Sequence, residues 1–337
     1  MKWSFFVILA VIVVLAVWKM NGRTEAQPPI VSAPAIEEIV IHEQTLVAQN
    51  NSFESGYSNQ AFAKPDFSQP NSIIPRSSKS PILAATFGIV PGLGHVYLND
   101  LKTASALAGS AGASLGLYFG TNEQVHSSGV IGLETTGFYS IYSAYRDARL
   151  QNGQLAYSYC MPTESLSDLV YAPFQWSVIK KPEVWGGIVA TLGLAVSALY
   201  LSGRAEPASI EKFGTPYLAL PIGIGEEAFF RGFLQSALAE HCTPWGAITI
   251  SSVAFGVAHI RNAFDLPAED RRGYYTFGIP LLTGLGFYYG WLTHKNHSLK
   301  ESVAAHTWYN FIVIMTSALI AQRANVGKTG FAVSLPF

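Results

Sequence analysis

Residues 221–231 read Pro-Ile-Gly-Ile-Gly-Glu-Glu-Ala-Phe-Phe-Arg, an apolar stretch that carries Glu226, Glu227 and Arg231. At membrane depth a charged side chain costs about 2.5–3.5 kcal/mol on insertion scales, so such groups are paired or functional. On a helix Glu227 and Arg231 share a face through their i,i+4 spacing and can pair. Glu226 is turned about 100° away from Glu227. One glutamate is thereby neutralised by Arg231, and the other is free to face a cavity. A desolvated carboxylate accepts a proton from water more readily than a solvated one. The plainer reading is an ion cluster that locks helices together.

Composition puts this segment in a membrane. The chain has 337 residues, 49% hydrophobic and 13% charged, where a soluble domain carries about 25% charged residues. Mean hydropathy is +0.25, and the net charge is -1. This excludes a nucleic-acid binder held by a basic surface. It predicts an integral membrane protein, read along the chain as an all-α, polytopic bundle of about seven or eight spans; the polar groups set in its apolar segments are what read as an active site within the bilayer. Cys160 and Cys242 offer neither metal spacing nor a disulfide framework.

The chain divides by composition. Residues 1–26 have a basic start, an apolar core and small residues at Thr24 and Ala26, the plan of a signal peptide; flanking Lys19 and Arg23 suit an uncleaved anchor equally. Residues 27–80, rich in Ser, Asn, Gln and Pro, form a polar extracytoplasmic linker that is largely disordered. Residues 81–183 hold small-residue-rich membrane helices and an interfacial segment, with a break at Pro91-Gly92. His95 there reads as a packing residue. The core spans 184–325, with helical segments at about 216–239, 245–260, 276–294 and 302–322, and residues 326–337 form a tail.

The later segments contribute more polar groups. His259 follows Phe255 by one helical turn, and Asn310 follows His306 by the same interval. Each alone reads as a structural hydrogen-bonder. Together, in order and in separate apolar segments, they can converge with Glu226 on one buried site.

Glu-Glu-x-x-x-Arg at 226–231, Phe-x-x-x-His at 255–259 and His-x-x-x-Asn at 306–310 resemble the three motifs of the CPBP family, the CAAX proteases and bacteriocin-processing enzymes also called the Abi family. The resemblance covers about residues 185–325. It implies an intramembrane endopeptidase acting on a membrane-anchored protein or peptide. Glu226 would activate water and His259 would assist. His306 and Asn310 would hold the oxyanion or ligate a metal, and Glu227 with Arg231 would form the supporting ion pair. Zinc held by His259, His306, Glu226 and Asn310 is one version; a metal-free glutamate mechanism is the other, and no His-Glu-x-x-His occurs. The secretory-type start points to a bacterial inner membrane. The competing readings are a non-catalytic immunity or partner-binding protein on the same scaffold, and a transporter with its charges along an ion path.

Overall fold

The computed structural model describes residues 79–153, 160–202 and 215–326. The expected signal or anchor, nearly all of the linker and the tail beyond 326 lie outside these residues. Everything described is helix and connection, as the all-α expectation requires.

The helix starts are written locally. Ser80 caps α1 (Pro81–Gly88) with proline at its first position, and its side chain accepts the Leu83 N–H. Gly92 adopts a left-handed φ of 95°, which breaks the chain before α2 (Leu93–Tyr97). Asp100 caps α3 (Leu101–Tyr118) and Asn122 caps α4 (Glu123–Gln151). Ser165 and Asp168 form a reciprocal capping box on α5 (Leu166–Tyr171). The Ser165 hydrogen bonds hold the Asp168 carboxyl below its ordinary range. The interfacial segment thus contains short helices, α5 and α6 (Trp176–Ile179).

The long α7 (Pro182–Ser202) follows. Next comes one continuous rod: α8 (Ala219–Glu227), a π-helical stretch over Ala228–Gln235, and α9 (Ser236–Ala239). Thr243 caps α10 (Pro244–Ala258), which runs into a 3₁₀ turn at His259–Asp265. A short α11 (Ala268–Gly273) and a π turn lead into α12 (Ile279–Asn296). The final helix is α13 (Lys300–Val326). The four segments expected between 216 and 322 are all helices.

The α8–α9 rod lies parallel to α4, because contacts climb both helices together. Thr135 donates to the Pro221 carbonyl at 3.0 Å. Phe138 stacks on Phe229 with ring centroids 4.6 Å apart, Tyr145 meets Phe233 at 5.3 Å, and Arg149 pairs with Glu240 at 2.7 Å. The approach is close: a Cβ on Gly225 would stand 2.8 Å from Thr135 Cα. On its other side the rod runs parallel to α12. Arg231 and Gln235, a turn apart, donate to the carbonyls of Gly286 and Gly290, also a turn apart. Helix α10 packs between them, with Ser251 donating to the Phe230 carbonyl at 2.8 Å.

Ion pairs gather where several helices begin or end. Lys181 meets Glu301 at 2.6 Å, Lys295 meets Glu183 at 2.9 Å and Lys300 meets Asp168 at 3.8 Å. His95 is fully buried and binds Asp147 at 3.2 Å.

The expected count of seven or eight spans includes the segment at 1–26, which lies outside the described residues. Among the described residues no helix is long and apolar enough to cross a membrane. Part of the reason is length, since the 15 residues of α10 reach only about 22 Å against a hydrocarbon core of about 30 Å. Part is charge, since α4 carries Glu123, Glu134, Arg146, Asp147 and Arg149, and the rod carries the buried charges of the site.

Phe229 is fully buried where the rod meets α4. Phe229→Ala should destabilise the fold by about 3–5 kcal/mol, read as a lower midpoint in thermal unfolding of the purified protein. An unchanged midpoint would mean that this contact is not part of the core.

Candidate functional site

The site begins with a single oxygen. Glu227 Oε1 accepts from Arg231 Nη1 at 3.0 Å and from His306 Nδ1 at 2.8 Å. Glu227 and Arg231 are fully buried and His306 nearly so. Burying an ion pair is costly unless further hydrogen bonds and good geometry compensate. Here Arg231 Nη2 also donates to the Gly286 carbonyl at 2.9 Å. The guanidinium lies over the Phe255 ring at 4.5 Å and flanks the Tyr289 ring at 5.6 Å.

The histidines are oriented by what their outer nitrogens bind. His259 Nδ1 contacts the Phe255 carbonyl at 2.8 Å. A carbonyl only accepts, so Nδ1 carries the hydrogen. The Glu227 carboxylate, held by Arg231, assigns the hydrogen of His306 to Nδ1 in the same way. In the neutral rings both Nε2 atoms are then bare acceptors. Both face Glu226: Oε2 stands 3.9 Å from His259 Nε2 and 3.8 Å from His306 Nε2.

Those separations exceed direct hydrogen bonding, which favours about 2.7–3.2 Å, and a polar gap of this kind is the width that a bridging water fills. Glu226 Oε2 is buried and has no hydrogen-bond partner. The site therefore holds an unpaired acceptor oxygen between two imidazole nitrogens.

The structure thus brings Glu226, Glu227, Arg231, His259 and His306 together from three separate segments. Asn310 lies one turn beyond His306 on α13 and is buried. Three features escape a reading of spacing. The π-helical stretch starts directly after Glu227, a type of irregularity frequent at functional sites. The Gly286 carbonyl that anchors Arg231 is 55 residues away in sequence. The Tyr289 ring lies flat against His306, with centroids 4.9 Å apart and planes 17° apart. No local signal marks the last two.

The ligand types needed for zinc are present in His259, His306 and Glu226. Among the described residues, however, no group of three or more His, Cys, Asp or Glu side chains is arranged to hold a metal ion. A tetrahedral ion with ligands at about 2.0–2.2 Å needs donor atoms about 3.4 Å apart, closer than the 3.8 and 3.9 Å seen.

Comparison with known families adds one match. Residues 211–312 match the family model described as type II CAAX prenyl endopeptidase Rce1-like, which belongs with the CPBP proteases that the three motifs resemble. The matched stretch contains all six residues named above. No curated protein and no solved structure matches the chain.

The shared oxygen generates a prediction. Arg231→Met should leave Glu227 buried without its counter-charge and cost about 3–5 kcal/mol. The double variant Glu227→Gln/Arg231→Met should recover part of that loss. Thermal unfolding of the three proteins reads it, and a double variant weaker than Arg231→Met would contradict the pairing.

Proposed function

We propose that this chain, with its Rce1-like segment at 211–312, is an intramembrane endopeptidase whose water is activated by Glu226. The observation that carries this reading is the unpaired Glu226 oxygen between the Nε2 atoms of His259 and His306.

The chemistry follows from the donors and acceptors. A water between the three atoms donates to Glu226 and to one imidazole. Its oxygen attacks the peptide carbonyl carbon as Glu226 takes one of its protons. The carbonyl electron pair moves onto oxygen, and the Asn310 amide donates to that oxyanion. The tetrahedral species collapses, the C–N bond breaks with its electron pair going to nitrogen, and Glu226 returns the proton to the leaving amine. The histidines hold the water and move protons at Nε2 while Glu227 and the Phe255 carbonyl fix their rings. A positioned general base is worth about 10²–10⁴ in rate, and a preorganised oxyanion donor about 10²–10³.

A bilayer setting is supported by the outer face of α10. Trp245, Ile250, Val253 and Val257 are exposed on that helix, whereas Ile248, Ser251, Phe255 and Ala258 face inward. A helix that turns large apolar side chains outward is covered by lipid or by a partner. The substrate class is accordingly a membrane-associated protein or peptide.

Zinc is the second reading, favoured by the ligand types. His259, His306 and Glu226 would hold it with the Asn310 side chain beside them, and a bound zinc would supply a Lewis acid for the water.

Glu226→Gln should reduce cleavage of a membrane-anchored reporter at least about 100-fold with an unchanged unfolding midpoint; cleavage at the wild-type rate would refute the base assignment. Elemental analysis of active protein separates the two versions. Zinc far below one atom per chain is expected, whereas about one zinc, lost in His259→Ala, would establish the metal version.

A further inference from the structure

Tyr289 on α12 belongs to none of the three motifs, yet it touches the site at its least constrained point. Its ring is 1% exposed and stacks face to face on His306, with centroids 4.9 Å apart and planes 17° apart. Phe255 meets the same imidazole edge-on, with centroids 6.0 Å apart and planes 77° apart. The hydrogen bond from Nδ1 to Glu227 pins one atom of the His306 ring. It leaves the ring free to tilt about that atom, which would swing Nε2 away from Glu226. A flat aromatic neighbour removes that freedom, because offset stacking is favourable only while the planes stay nearly parallel. Arg231 holds Tyr289 in turn: its Cζ lies 5.6 Å from the Tyr289 ring centroid, and its Nη2 binds the carbonyl of Gly286, three residues earlier on the same helix.

The Tyr289 hydroxyl is buried without a hydrogen-bond partner. The ring therefore accounts for this residue's place in the site and the hydroxyl does not. We infer that Tyr289 is a positioning residue whose aromatic face sets the plane of the His306 imidazole and so aims Nε2 at the water held by Glu226. The inference rests on the hydrolytic reading above only for its kinetic consequence; the ring geometry stands apart from it.

The test compares Tyr289→Leu, Tyr289→Phe and a control truncation on the same helix, Leu292→Ala, whose side chain is fully buried. With the membrane-anchored reporter, Tyr289→Leu should lower kcat at least about tenfold, since small misplacements of reacting groups cost up to about a hundredfold, while KM stays within about twofold. Tyr289→Phe should restore most of the rate. Leu292→Ala should lower the unfolding midpoint as far as Tyr289→Leu does and keep its kcat. A second readout needs no substrate: the ring proton resonances of selectively labelled His306 should show an upfield ring-current shift in the wild type and in Tyr289→Phe, lost in Tyr289→Leu. Wild-type kcat in Tyr289→Leu, equal damage in Tyr289→Phe, or equal loss of kcat in Leu292→Ala would overturn the inference. Active Glu226→Gln with the ring-current pattern intact would instead overturn the hydrolytic reading and leave the positioning of His306 standing.

Discussion

One carboxylate oxygen organises this site. Glu227 Oε1 takes hydrogen bonds from Arg231 and His306 at once, in a place where no side chain of the three is more than slightly exposed. Removing Arg231 leaves a desolvated charge on Glu227, and removing Glu227 leaves one on Arg231, so this pair is fixed together or not at all, and His306 is oriented by it. Through Arg231 the constraint passes to the Gly286 carbonyl and the Phe255 and Tyr289 rings. Through His306 it passes to α13. The rod, α10, α12 and α13 are all tied to that oxygen within one further contact.

The division between the two glutamates follows. They are neighbours in sequence but hold different places. Glu227 is fully buried, with Oε1 shared by Arg231 and His306 and Oε2 without a hydrogen-bond partner, and it orients; Glu226 is slightly exposed at 13%, and its unpartnered oxygen faces the Nε2 atoms of His259 and His306. On the proposed hydrolytic reading Glu226 is the base, because its unpartnered oxygen faces both Nε2 atoms. The π-helical stretch after Glu227 contains Arg231 and sits where the rod packs against α4 on one side and α12 on the other. An inserted turn of this kind re-aims side chains without breaking the helix.

Spacing in the sequence reveals the Glu227–Arg231 pairing, because i,i+4 on a helix is a local rule. It also separates Glu226 from that pair. The four long segments that become the rod, α10, α12 and α13 are legible as apolar runs separated by Pro244 and by the charged turns. The convergence of His259 and His306 on one oxygen is not legible, since it depends on how α10 and α13 pack against the rod. Tyr289 is hidden for the same reason: in the run Gly284-Leu285-Gly286-Phe287-Tyr288-Tyr289-Gly290 nothing distinguishes the tyrosine that meets His306 from its neighbour, whose hydroxyl instead reaches the Glu183 carbonyl. Hydropathy averages over charges that folding hides, and Glu226, Glu227 and Arg231 interrupt the very rod on which the site is built.

The most direct measurement is an experimental structure of the active protein at a resolution that shows ordered water. One water is expected about 2.7–3.0 Å from Glu226 Oε2 and from the Nε2 atom of one of the two histidines, with Glu227 Oε1 still shared by Arg231 and His306. Glu226 turned out of the site, or a direct Glu226–histidine hydrogen bond that closes the gap, would contradict the proposed mechanism; an ion at about 2.0–2.1 Å from the Nε2 atoms of both histidines would contradict its metal-free form.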